Sequence, residues 1–269
     1  MLKKIIIYIL SAQLILLFFF NKYIPDDNFY IYFLDVGQGD SIFVKTPENH
    51  QILIDAGPGP KVVEELNKLI PFFDRTLDLI VITHPHKDHY MGFLEILNNY
   101  DVDRLLFNAV NTNDESYLKL LEKIKKNNIE ISIANQKNDF LFKNVLLDII
   151  YPFKSLALQS LDNINNSSIV LNINYKNKNI LLTGDIEEDV ENLILNKNIS
   201  ADILKVPHHG SKSSSSLNFI NKVNPEIAII QNGKNNKFGH PHLDTLKVLS
   251  ESNIKIMRND QEGTIGFTF

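Results

Sequence analysis

Thr83-His84-Pro85-His86-Lys87-Asp88-His89 is the stretch that decides how this chain is read. Three imidazoles and a carboxylate fall within the six positions from His84 to His89, a density that packing does not explain. The apolar run Leu79-Ile80-Val81-Ile82 precedes the cluster, and the amphipathic stretch Met91 to Leu97 follows it. The cluster is therefore expected on a loop between a buried strand and a helix, at the strand end where α/β sheets gather their ligand sites. On an extended backbone His84 and His86 point the same way. Asp88 and His89 stand at the helix entrance and can point elsewhere, which suits two metal ions with a pair of ligands each. A polar loop with Asp88 as helix N-cap is the bland alternative. It accounts for Asp88 but not for three imidazoles.

Two further strand ends carry the same chemistry. Leu181-Leu182-Thr183-Gly184-Asp185 ends an apolar run in a carboxylate, read either as an N-cap or as a bridge between two metals. Ile203-Leu204-Lys205-Val206-Pro207-His208-His209-Gly210-Ser211 ends another in paired imidazoles. His209 could complete the second metal's shell and His208 could meet substrate, with the order of the two left open. The hydroxyls and backbone N–H groups from Ser211 to Ser216 could hold an anion, although a solvated loop suits most of these serines. In Phe238-Gly239-His240-Pro241-His242, His240 is a candidate proton donor or substrate contact, and His242 a surface residue. Asp35-Val36-Gly37-Gln38-Gly39-Asp40 reads as a glycine-rich hairpin turn whose acids could instead orient metal ligands. Asp55, in Ile54-Asp55-Ala56-Gly57, reads similarly.

Composition narrows the chemistry. The 269-residue chain is long enough for one large domain or two small ones, and 44% of it is hydrophobic. It has no cysteine, so disulfides and thiolate sites are excluded and any metal must rest on His and carboxylate ligands. A net charge of -5 gives the whole molecule no general attraction for nucleic acid, leaving only local basic patches.

At the N-terminus, Lys3 and Lys4 precede an apolar run from Ile5 to Phe20. Residues 1–25 are expected to be a signal or, lacking a small-residue cleavage site, an uncleaved membrane anchor. Tyr23 and Ile24 would extend the span while Lys22 snorkels. Lys3 and Lys4 would stay cytoplasmic, with the rest of the chain outside; secretion is the alternative. From Phe29 onward, strand patterns crowd the first half and strand–helix–strand units repeat in the second. One α/β domain over residues 29–269, two sheets sandwiched by helices, is predicted.

Taken together, His84-x-His86-x-Asp88-His89, Asp55-x-Gly57, Gly184-Asp185 and a late histidine resemble the metallo-β-lactamase fold superfamily. Within it, Leu34-Asp35-Val36-Gly37-Gln38-Gly39-Asp40-Ser41, Val206-Pro207-His208-His209-Gly210-Ser211 and Gly239-His240-Pro241 resemble the C-terminal hydrolase domain of ComEC-type DNA-internalisation competence proteins. The resemblance covers residues 29–269 and implies a four-layer αββα sandwich with its metal site at one sheet edge. It also implies two divalent cations, Zn2+ or Mn2+: one on His84 and His86, the other on Asp88 and His89, Asp185 between them, and His209 as late ligand with His208 as alternative. Asp88, His208 and His240 are then the expected catalytic residues. Ser211, Lys212 and His240 are expected to bind substrate, and Asp35, Asp40 and Asp55 to support the ligands.

Two departures qualify this. Many superfamily members carry a further histidine where this chain reads Asn165-Asn166-Ser167-Ser168-Ile169-Val170-Leu171. The first metal would hold more water, which favours manganese over zinc. ComEC domains also usually follow a multi-span channel region, whereas this chain has at most one span. The implied substrate is a phosphodiester, DNA first, with Lys205, Lys212, Lys234 and Lys237 as phosphate contacts at the rim. The alternatives are another ester (a phosphocholine ester or lactone) or a metal-stabilised, membrane-anchored binding module with little turnover.

Overall fold

The computed structural model describes residues 2–21 and 27–269. Helix α1 (Leu2–Asn21) comes first. Its side chains Ile5, Ile6, Ile7, Tyr8, Ile9, Leu10 and Leu14 are exposed. Among the described residues no helix is long and apolar enough to cross a membrane. The expected spanning anchor is thus not found among them, and its extension through Lys22, Tyr23 and Ile24 lies outside the described residues.

The first half of the domain contributes strands β1 (Tyr30–Phe33), β2 (Ile42–Lys45), β3 (Gln51–Ile54), β4 (Thr76–Leu77), β5 (Leu79–Ile82), β6 (Asp101–Val102), β7 (Arg104–Phe107) and β8 (Glu130–Ile133). The second contributes β9 (Phe140–Phe142), β10 (Val145–Tyr151), β11 (Val170–Tyr175), β12 (Lys178–Leu182), β13 (Ile203–Lys205), β14 (Ile227–Ile230), β15 (Lys255–Arg258) and β16 (Ile265–Thr268). One seven-stranded sheet runs β16-β1-β2-β3-β5-β7-β8, and the other β15-β14-β13-β12-β11-β10-β9. β4 and β6 form a small parallel pair.

Both sheets are buried on both faces, which explains their continuous apolar runs. Residues alternate between layers with the strand's period of two. Leu79 and Val81 face the core between the sheets, with Leu171, Ile173 and Ile203 opposite. Ile80 and Ile82 face the outer core. That outer core is closed by α2 (Lys61–Leu69), the single turn α3 (Lys87–Tyr90), α4 (Phe93–Asn99) and α5 (Glu115–Lys126). On the far side, Leu181, Leu204, Ala228 and Ile230 pack beneath α6 (Glu188–Ile194), α7 (Leu217–Val223) and α8 (Leu243–Glu251). A short α9 (Asn259–Glu262) precedes β16. The layers are α, β, β, α, as expected.

Some boundaries differ from the sequence pattern for local reasons. The helix that follows the histidine cluster is α4, and the single turn α3 precedes it, with Met91 and Gly92 between them. Helix α7 starts after Ser216, whose hydroxyl accepts from Phe219 N. The strand Phe140–Phe142 went unpredicted; three residues are too few to show a period.

Parallel pairing of β3, β5 and β7, and of β12, β13 and β14, aims their carboxyl ends at one edge. That edge carries Asp55, Thr83-His84, Asp185 and His208-His209. The turn after β1 closes over it: Gly39 adopts φ +141, and a Cβ there would lie 2.1 Å from the Asp88 carbonyl oxygen. Only glycine lets the two loops touch. Gly39→Ala should therefore cost about 2 kcal/mol or more and lower the thermal midpoint. Gly59→Ala, where an added Cβ meets nothing within 4 Å, should leave the midpoint nearly unchanged.

Candidate metal centre

Each imidazole in the cluster is held at one nitrogen, which aims the other. His84 Nδ1 lies 3.1 Å from both the Thr83 and Ser168 hydroxyls. His89 Nδ1 is 2.8 Å from Asp55 Oδ2, and Asp55 is itself fixed by the Thr83 backbone N–H and hydroxyl. His209 Nδ1 sits 2.9 Å from the Gln231 carbonyl and 3.2 Å from Asp40 Oδ1. Such outer partners orient metal-ligating histidines. The free edges converge on Asp185. His89 Nε2 is 3.2 Å from Asp185 Oδ2, and His209 Nε2 is 3.4 Å from it. Asp88 Oδ2 approaches His209 Nε2 to 3.3 Å. His86 Nδ1 lies 3.1 Å from His84 Nε2.

Buried and otherwise unpartnered, His89 Nε2, His209 Nε2 and Asp185 Oδ1 make no well-formed hydrogen bond. Buried polar atoms left so are costly, and cations between them would satisfy all three. His84, His89 and Asp185 offer donor atoms within 4.8 Å of one another, as do Asp88, His89 and His209. The donor set fits divalent cations.

Electrostatics agree. Burial would depress His89, but the Asp185 and Asp55 carboxylates outweigh it and hold its pKa well above the ordinary imidazole value. His209 behaves likewise, with Asp185 and Asp40 opposing burial. Burial would raise Asp185, yet His209 and His89 keep it well below the usual carboxylate range. The carboxylates thus favour a proton on each imidazole at the place where a cation would sit, and bound metal would compete with that proton. Burial, reinforced by His89, pushes His84 well below the ordinary imidazole value. Burial likewise lowers His86 and His208. His240 is pushed down to about 4 by burial and by His209, His208 and His242.

The remaining expected residues divide. His208 lines the mouth, Nε2 3.9 Å from Asp185 Oδ2 and Nδ1 3.4 Å from Glu187 Oε1. Both His208 (φ 51) and His209 (φ 54) take left-handed backbone, a strained turn that presents the paired rings. His240 packs its ring against both, with centroids 5.6 and 6.1 Å away. Asp40 and Asp55 contact the cluster, 3.2 Å from His209 Nδ1 and 2.8 Å from His89 Nδ1 respectively. Asp35 does not: it bonds Lys61 Nζ at 2.8 Å and the Gly37 N–H, away from the cluster. Asp88 is not an N-cap; His86 holds that position in α3.

Ser211 is buried and bonds Ser213. The serine loop's N–H groups at 215 and 216 already serve the buried Glu191 carboxylate, so that part of the loop offers no free anion cradle. Lys212 is exposed. Lys205 is not at the rim: it is fully buried, pairs with Asp40, donates to the Gly184 carbonyl at 3.0 Å and lies 3.7 Å from Asp185 Oδ1. Its parity explains this. Ile203 faces the core between the sheets, so Lys205, two residues on, points the same way. A charged residue inside an apolar strand run was the available signal. Ser168, Thr83 and Gln231 gave no comparable signal. Asn108, whose amide ties Thr83 O to Ser167 O, gave none either.

The family model of the metallo-beta-lactamase superfamily matches residues 34–132. ComE operon protein 3 of Bacillus subtilis is 33% identical over 256 residues, covering 88% of this chain and 32% of that protein. Competence protein ComA of Neisseria gonorrhoeae is 25% identical over 251 residues, covering 91% of this chain and 33% of that one. The chain thus spans about a third of the length of these curated relatives. The crystal structure of the metallo-beta-lactamase fold protein YhfI from Bacillus subtilis superposes with a TM-score of 0.55 at 10% identity, covering 89% of this chain and 99% of that one.

Removing one member of a buried ion pair strands the other. Lys205→Met should destabilise the protein by about 3 kcal/mol or more, read as a fall in thermal midpoint. Adding Asp40→Asn to it should recover part of that loss.

Proposed function

The chain belongs to the metallo-beta-lactamase superfamily, in a ComEC-like form, and from that premise we propose that it is a phosphodiesterase of nuclease type with two divalent cations. The observation carrying this reading is the buried convergence of His89 Nε2, His209 Nε2 and Asp185 Oδ1, which lack a well-formed hydrogen bond and meet their neighbours only as ion pairs. His84 and His86 would hold one cation, Asp88, His89 and His209 the other, and Asp185 would serve both. Cations held there would polarise a phosphoryl oxygen and activate water. The chain's own residues do the rest. Asp55 and Gln231 fix the tautomers of His89 and His209. Ser168 holds both His84 Nδ1 and the Asp185 N–H. His208 and His240 line the mouth, where a substrate oxygen would receive its hydrogen bonds. Exposed Lys212 and Lys237, on the loops that carry His208 and His240, suit a phosphodiester backbone; Lys234 instead lines a cavity beside Asp35 and Asp260. The proposal places this domain outside the cytoplasm, held at a membrane by residues 1–25, with the exposed apolar side chains of α1 as its support.

Elemental analysis of the metal-loaded protein should give two cations per chain, Zn2+ or Mn2+. Bis(p-nitrophenyl) phosphate and a DNA strand should both be cleaved, and His86→Ala and Asp185→Asn should each abolish turnover. Bound metal without turnover would favour a binding module. Asp55→Asn, which loosens His89 without removing a ligand, should weaken metal affinity on the order of 10- to 100-fold in equilibrium dialysis.

A further inference from the structure

We propose that Phe238 is a stacking platform for a nucleobase of single-stranded nucleic acid whose phosphate lies at the metal centre. This rests on the phosphodiesterase reading and specifies the substrate. Phe238 is 52% exposed, although it belongs to a loop at the mouth of the site. Its ring stacks on His240, with centroids 5.7 Å apart and planes 21° apart. His240 in turn packs against His208 and His209. A base lying on Phe238 would therefore sit one ring beyond the rings that line the reaction site.

The loop is rigid despite its exposure. Asn236 Oδ1 accepts from the N–H groups of Phe238 and His240. Its amide donates to the carbonyls of Gly233 and His240. Gln38 Oε1 accepts from Gly233 N, which ties the loop to the turn after β1. An exposed aromatic held this firmly binds without an ordering cost. The charge match is local. In a chain of net charge -5, exposed Lys237 stands against the ring, its Nζ 5.2 Å from the Phe238 centroid. An aromatic face beside an exposed cation is how proteins hold single strands without reading sequence. A duplex, with its bases already stacked on one another, offers this ring nothing.

The test measures binding of a fluorescein-labelled oligothymidylate to the full chain by anisotropy, with chelator present so that cleavage does not intrude. Phe238→Ala should weaken binding on the order of tenfold, and Phe238→Trp should restore it. An abasic oligonucleotide of equal length should bind wild type and Phe238→Ala alike. Equal weakening with both strands would reduce Phe238 to a prop for His240 and overturn the inference, as would no effect on either. Loss of binding to phosphatidylglycerol vesicles, with the oligonucleotide unaffected, would reassign the ring to a lipid surface. Base-dependent binding without any hydrolysis of phosphodiesters would leave the platform standing and remove the nuclease reading.

Discussion

Buried charge is the constraint on which this structure is organised. Asp40, Asp55 and Asp185 lie within the edge of a dry two-sheet core, each nearly inaccessible to water. Isolated carboxylates could not stay ionised there. Lys205 answers Asp40 from inside the second sheet, while His89 and His209 answer Asp55, Asp40 and Asp185. The two sheets are joined at this edge by ion pairs as well as by their apolar faces. Residues from the turn after β1, the loop after β5 and the loops after β12 and β13 must all be in place before any one of them is electrically tolerable.

That interdependence accounts for the glycines and odd backbone angles around the site. Gly39 brings the first turn against Asp88. Gly184, at φ +51, lets Asp185 turn inward beside Ser168, where a Cβ would lie 2.9 Å from the serine Cβ. His208 and His209 adopt left-handed angles that non-glycine residues avoid. Strain concentrated at one edge, over a regular core, is the pattern of a site whose geometry matters more than its local comfort.

Much of this was legible in the sequence. His84, His86, Asp88 and His89 stand out because chemistry-bearing residues crowd a single strand end, and Asp185 and His209 because apolar runs lead straight into them. The layered fold followed from those same runs. What stayed hidden was partnership across long separations. Nothing near Asp40 in the chain announces that its counter-ion is Lys205, 165 positions on, or that the same carboxylate would also reach His209. Glu191 is similar: its helix period marks it as one more acid, and only the packed structure shows it receiving the serine loop's N–H groups. Asp35 and Ser211 erred in the opposite direction. Their neighbours belong to the site, but their own side chains turn to local partners. Motif membership locates a segment; it does not say which way each side chain faces.

The pairing of β1 with β16 has a consequence for how the molecule is made. Tyr30 stands opposite Thr268, and Phe29 exchanges backbone hydrogen bonds with Phe269. That border strand of the first sheet is thus supplied from 238 positions further along the chain. Until it docks, the β1 edge keeps a row of open amides and carbonyls, the kind of border that recruits stray strands. Maturation of the amino-terminal sheet therefore waits on a distant segment, made only after the strands of the second sheet.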